Sequence, residues 1–242
     1  MAADPAGGRF VTTKWTQVVA AGDASDTRAR EALAALCQTY WPPLYTYLRR
    51  HGHDREDAQD LVQGFFARLL ERGDVRTADP ARGRFRSFLL TALKRYAINE
   101  HERATSLKRG GAHPALSLDF DDAERRDARE PHTDDTPERV FDRRWAAISL
   151  DRAVQRLREE CQEAGNGTQA DVLLPYLTES GDLPPYIVAA QTLGVSEGAV
   201  KVGVHRLRRR FGVILRLEIA ETVFAPEDVE DEVRELIRAV SA

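Results

Sequence analysis

Residues 186–211, YIVAAQTLGVSEGAVKVGVHRLRRRF, constrain the fold more tightly than any other stretch. They read as two short helices joined by a tight turn. Ala190 is small where the helices must cross closely, and Gly194 suits the positive-φ conformation that ends a first helix. Ser196 then caps a second helix through its hydroxyl, and Glu197 in the first turn complements the helix dipole. Along that second helix Val200, Val204, Leu207 and Phe211 form one apolar stripe, while Ser196, Glu197, Lys201, His205 and Arg208 point elsewhere. The pattern is that of a helix-turn-helix whose second helix fits a DNA major groove. The plainer reading is a helical hairpin with a solvated basic face. Against it stand Arg206, Arg208, Arg209 and Arg210, whose guanidinium groups suit phosphate contact.

A formal net charge of −4 over 242 residues makes nucleic-acid binding depend on charge segregation, with basic helices apart from acidic segments. The sequence contains no apolar run long enough to span a bilayer and no signal-peptide pattern at its start, so a cytoplasmic location is expected. Cys37 and Cys161 lack CxxC or Cys/His companions, which predicts neither a disulfide nor a zinc site. The pair His51 and His53 lacks a nearby Cys or a positioned carboxylate and reads as a helix-end turn rather than metal ligands. No metal, cofactor or catalytic constellation is expected. There is no P-loop, nucleophile elbow, HExxH or strand-borne GxGxxG, and Asp121, Asp122, Asp134 and Asp135 read as solvated charge.

The fold class predicted is all-α, with two small helical domains joined by a flexible acidic linker and the helix-turn-helix in the second. β-Branched alternation never persists, whereas helical periodicity recurs. Residues 15–21 suit a short first helix. Residues 28–52 suit another, with Leu33, Leu36, Tyr40, Leu44 and Tyr47 in register, bent or split by Trp41, Pro42 and Pro43. Asp54 caps a helix reaching about Arg72, with Ala58, Leu61, Val62, Phe65 and Leu69 on its buried side. A turn over 79–83 precedes a third long helix, about 84–105, that buries Phe88, Leu89, Ala92, Leu93 and Tyr96 and exposes Arg84, Arg86, Lys94, Arg95 and Arg103. The boundaries expected are 10–110 for the first domain, 111–138 for the linker, 139–221 for the second domain and 222–242 for an amphipathic tail. Between 117 and 136 acidic residues dominate and apolar ones thin out, so that stretch is read as unable to order itself.

Residues 57–70, DAQDLVQGFFARLL, resemble a signature of bacterial RNA polymerase sigma factors. Residues 40–45 before it and 83–90 after it match the same family's pattern, and SEGAVKVGVHRLRRR is similar to the family's region 4. Two modules in this order, with no middle domain between them, resemble the extracytoplasmic-function class. The resemblance implies a protein that binds core RNA polymerase, directs it to promoters, assists melting and initiates transcription. It implies partners in the clamp helices of the largest polymerase subunit, the flap of the second-largest subunit and promoter DNA, and often an anti-sigma factor.

On this resemblance Asp57, Asp60, Gln63 and Arg68, at i, i+3, i+6 and i+11, are the candidates for the polymerase contact. Gly64 stands where the family usually has Glu, and an interior helical glycine costs about 1 kcal/mol against alanine. For the −10 element the candidates are Arg82, Arg84, Arg86, Lys94, Arg95, Asn99 and Arg103, in a region where the family captures a flipped base. Arg95 stands near a position where many members carry an amide. For the −35 element, Ser196, Glu197, Lys201, His205 and Arg208 are expected nearest base edges, and Arg206, Arg209 and Arg210 at phosphates. Gly203 occupies a position often larger or charged in relatives. The resemblance also threads the acidic linker through the polymerase's RNA exit path, and its charge would discourage indiscriminate DNA binding. The alternative is a stand-alone helix-turn-helix regulator that binds operators without polymerase, against which the 57–70 signature argues.

Overall fold

The computed structural model describes residues 27–72, 85–106, 118–127, 135–178, 183–223 and 225–241. Every regular element among them is helical. In chain order these are α1 (Thr27–Arg50), α2 (Arg55–Arg72), α3 (Phe85–Ser106), α4 (Phe120–Asp127), α5 (Pro137–Glu163), α6 (Gly167–Leu173), α7 (Pro175–Thr178), α8 (Tyr186–Leu193), α9 (Glu197–Ala220) and α10 (Val229–Ser241), the last preceded by a 3₁₀ turn at Pro226–Asp228. The expected helix at 15–21, the 79–83 turn, Arg82 and Arg84 lie outside the described residues. The chain divides into two compact units, one holding the described residues up to Val140 with Glu221–Asp228, the other Phe141–Ala220 with Val229–Ser241.

In the first unit α1 packs against α2, α3 and α4, and α2 packs on α3. Tyr40, Leu44, Tyr45 and Leu48 of α1, Val62 and Phe66 of α2, and Phe85, Leu89 and Leu93 of α3 are buried in this unit. Tyr40 meets Phe85 edge-on, with ring centroids 5.1 Å apart. Asp54 caps α2 as expected, its carboxylate accepting the Asp57 N–H at 2.9 Å. Gly52, with φ +96°, turns the chain between α1 and α2.

Two expectations are corrected here. Of the bend or split expected at Pro42 and Pro43, the split is excluded: α1 runs unbroken from Thr27 to Arg50. An interior proline costs about 3 kcal/mol, and the burial of Trp41, Pro43, Leu44 and Tyr45 around the pair opposes that cost. Nor is the acidic stretch 117–136 without order, because 120–127 form α4. The composition argument failed on a few side chains. Phe120 and Ala123 are buried, and Phe120 sits edge-on to Trp41 at 5.1 Å and tilted against Tyr45 at 5.3 Å. Part of the stretch's charge is paired. Glu124 accepts hydrogen bonds from the Tyr45 hydroxyl at 2.5 Å and from Arg49 Nη2 at 2.8 Å, and Asp121 pairs with Arg55.

In the second unit α8 and α9 cross around a small core of Leu173, Tyr176, Ala189, Ala190, Val200 and Val204. Gly194 adopts the left-handed conformation (φ 65°, ψ 32°) at the end of α8. The Val195 N–H returns to the Ala190 carbonyl at 3.0 Å and closes the helix end. Ser196 Oγ accepts the Ala199 N–H at 3.2 Å and caps α9. The amphipathic tail forms α10, which packs on α9 through buried Val233 and Leu236, while Ile237 and Val240 stay exposed.

Candidate functional site

Two surfaces carry the sequence-predicted residues, one in each unit. In the first unit α2 and α3 enclose a cavity of about 240 Å³ lined by Phe65, Arg68, Leu69, Phe88, Thr91, Ala92, Arg95, Tyr96 and Asn99. The spacing explains the lining: Phe88, Ala92, Arg95 and Asn99 recur at three- and four-residue steps, which places them on one side of α3. Its walls are mixed. Aromatic rings supply flat apolar surface, and Arg68, Arg95 and Asn99 supply donors at the rim. The Arg68 guanidinium lies over the Tyr96 ring, 5.8 Å from its centroid, an arrangement in which the ring's quadrupole attracts the cation. Burial raises the Tyr96 hydroxyl above its ordinary pKa, with Glu100 adding to the shift, so it stays a neutral donor at physiological pH.

The candidates on α2 and α3 separate. Asp57 and Asp60 are exposed, and Gln63 is half-buried. Arg68, grouped with them from the sequence, instead lines the cavity beside Arg95 and Asn99. Gly64, where the family usually has Glu, is buried. On α3, Arg86 is 5% exposed, which removes it from the expected exposed set. Its position, one residue after buried Phe85, falls where α3 meets its neighbours rather than on the outer face. Lys94 is engaged with a carboxylate: its ammonium donates to Glu138 Oε1 at 2.7 Å and stands 5.3 Å from the Tyr47 ring centroid. That hydrogen bond raises the Lys94 pKa and lowers that of Glu138, so both are charged at neutral pH. Arg103 pairs with Glu100 at 2.7 Å. Arg95 and Asn99 remain exposed at the cavity mouth.

The acidic segment therefore answers several cations of its own unit. Burial opposes ionisation of Glu124, but hydrogen bonds from Arg49 and Tyr45 and the charges of Arg49 and Arg55 overcome it and hold its pKa below the usual value. Burial and the same carboxylate push the Tyr45 phenol pKa up.

In the second unit α9 presents the basic residues, and neighbouring elements sort them. Arg208, expected nearest base edges, is exposed and donates through Nη2 to the Tyr176 carbonyl at 3.1 Å, which ties it to α7. Arg210, expected at a phosphate, forms a two-pronged pair with Glu160 at 2.7 and 2.8 Å. Its helical position turns it towards α5 instead. Lys201 pairs with Glu197 one turn earlier at 2.9 Å. Ser196 spends its hydroxyl on the cap. His205, Arg206 and Arg209 are exposed. Gly203, expected as a lost contact, faces inward: a Cβ there would stand 2.8 Å from Leu173 Cδ1, so glycine is what lets α6 approach.

The family model described as Sigma-70 region 2 matches residues 36–106. This part of the chain is similar to a sigma-70 region 2 domain. The match takes in most of α1, all of α2 and α3, and with them the cavity. It points to a sigma factor of the sigma-70 family, whose partners are core RNA polymerase and promoter DNA. No curated protein and no solved structure matches the chain. Among the described residues, no helix is long and apolar enough to cross a membrane, and no group of His, Cys, Asp and Glu is placed to hold a metal ion.

The sequence did not single out the cavity as a cavity. Its residues were legible as helix faces, but the concavity depends on where α2 and α3 diverge. The ring of Tyr96, assigned to the core, is 7% exposed and contributes to the lining. The carboxylates that engage Lys94 and Arg49 were also missed. Glu138 lies 44 residues from Lys94 and Glu124 lies 75 from Arg49, and no local pattern announces such pairs.

Proposed function

We propose that the chain is a sigma factor of the extracytoplasmic-function class, acting without catalysis of its own in the cytoplasm. The observation that carries this reading is the region 2 match over a helical unit whose α2 and α3 enclose a mixed aromatic and cationic cavity. Asp57, Asp60 and Gln63 on α2 bind the clamp helices of the largest polymerase subunit. Arg95, Asn99 and Arg68 line the place where an unpaired base of the −10 element is held, with Lys94 and Arg103 at the neighbouring strand. A cavity of about 240 Å³ has room for a base, and stacking on an aromatic wall is worth about 1–3 kcal/mol. That energy offsets the unpairing cost without ATP.

In the second unit α8, Gly194 and α9 act as a helix-turn-helix of region 4 type, with α9 in the major groove of the −35 element and the flap of the second-largest subunit as its polymerase partner. The cap at Ser196, the left-handed Gly194 and exposed His205, Arg206 and Arg209 support this. An anti-sigma factor is the expected regulator, with α10 offering exposed Ile237 and Val240.

The deciding experiment is binding to purified bacterial core RNA polymerase, with an Asp60→Ala, Gln63→Ala double variant alongside. One-to-one binding that the variant weakens supports the reading. A folded protein that ignores polymerase and binds duplex DNA alone would instead be a stand-alone regulator.

A further inference from the structure

The outward face of α9 carries an anomaly that charge does not explain. Val200 and Val204 turn into the core, each 2% exposed or less, and Val202 between them stands 49% exposed. A helical wheel at about 100° per residue sets Val202 opposite the buried stripe, with His205, Arg206 and Arg209 around it. Arg206 and Arg209 have no ion pair or hydrogen bond among the described residues, unlike Arg208 and Arg210 beside them. One turn before Val202 stands Gly198, whose missing side chain leaves open space, the nearest atom to a Cβ being Ser196 Oγ at 3.9 Å. The surface is thus a low apolar spot flanked by two arginines and a histidine.

Cations around an apolar spot match a polyanion that displays apolar groups between its phosphates. Duplex DNA does so only in the major groove, where thymine presents its C5-methyl. We infer that Val202 is a specificity-determining residue that packs against a thymine methyl in the duplex bound by α9, while Gly198 lets the helix approach and Arg206 and Arg209 hold the flanking phosphates. The inference rests on the helix-turn-helix reading above. It goes beyond that reading by naming the base and the atom read. An apolar partner protein is the competing occupant, but it would not require the two unpaired arginines.

The test uses the full chain bound to core RNA polymerase and duplexes that this complex selects from a randomised pool. Each thymine in the upstream element is replaced in turn by deoxyuridine, which deletes only the methyl. Binding should weaken about fourfold at one position, the effect of one buried methyl group. In Val202→Gly the same replacement should have no effect, with the fold of this exposed site intact. Equal sensitivity in both proteins, or no sensitive thymine, would overturn the inference. So would a Val202→Asp variant that loses a protein partner and keeps its DNA preference. If Arg206→Ala and Arg209→Ala together leave duplex affinity unchanged, the helix-turn-helix reading itself fails, an outcome distinct from loss of the methyl effect alone.

Discussion

The two basic helices, α3 and α9, were both read as cationic faces and end in opposite shapes. On α3 the cations withdraw: Arg86 is buried, Lys94 meets Glu138 and Arg103 meets Glu100, leaving Arg95 and Asn99 at the mouth of a cavity. On α9 two arginines are tied down, but His205, Arg206 and Arg209 stay on a convex ridge. A concave site with aromatic walls suits a single base taken out of a stack. A convex basic helix suits an intact groove. Charge alone marks both helices as basic, so what distinguishes them is which side chains their neighbours leave available.

Filling the cavity should break the comparison most sharply. Ala92→Phe places a ring in its lining and is expected to weaken binding of single-stranded −10 DNA by the polymerase complex tenfold or more, the order of one lost stacking contact. Duplex binding through α9 should not change. A competition assay with each probe separates the two, and equal losses would show that the cavity is not a distinct site.

The neighbouring arginines of α9 offer a finer contrast. Arg209→Ala should lower duplex affinity several-fold and leave thermal stability unchanged, because its side chain is exposed. Arg208→Ala should destabilise the second unit by about 1 kcal/mol through the lost bond to the Tyr176 carbonyl. Calorimetry and DNA titration on both variants would show the split, and matching behaviour would refute it.

Gly203→Ala tests why the ridge is so closely backed. The new Cβ would meet Leu173 at 2.8 Å, and overpacking of this kind costs about 1–3 kcal/mol. Alanine's better helix propensity returns about 1 kcal/mol. The net expectation is a small loss of stability in chemical denaturation, and a gain would mean that α6 yields easily.

The smallest effect concerns α4. The pKa of Glu124 is lowered in the folded protein, so its contribution is present at neutral pH and is lost as pH falls from 4.5 through the depressed value. The thermal midpoint of the wild type should therefore fall more steeply over that acid range than that of Glu124→Gln. Parallel melting curves would show that the contact contributes nothing measurable.

Much of this was legible before any coordinates. Asp54, Gly194 and Ser196 marked helix ends because caps and left-handed turns depend on single residues. The apolar stripe of α9 followed from its period. What escaped the sequence depended on distant partners. The acidic stretch was read as unstructured because composition averages over a segment, whereas α4 is held by Phe120, Ala123 and Glu124. The partners of Arg208 and Arg210 escaped because a helical wheel shows only which side a residue occupies. It does not show that Tyr176 or Glu160 waits there.

The pairing of Lys94 with Glu138 alters what an ionic-strength experiment would count. A cation that meets a phosphate ordinarily lets the nucleic acid shed condensed counterions, and the steepness of the salt dependence reports how many. Lys94 starts with a carboxylate already in place, so engaging a phosphate exchanges one protein anion for a nucleic-acid one. A freed Glu138 then recruits a mobile cation of its own. Strand binding by this unit should accordingly show a shallower salt slope than its number of phosphate contacts, and the Glu138→Gln variant should steepen it.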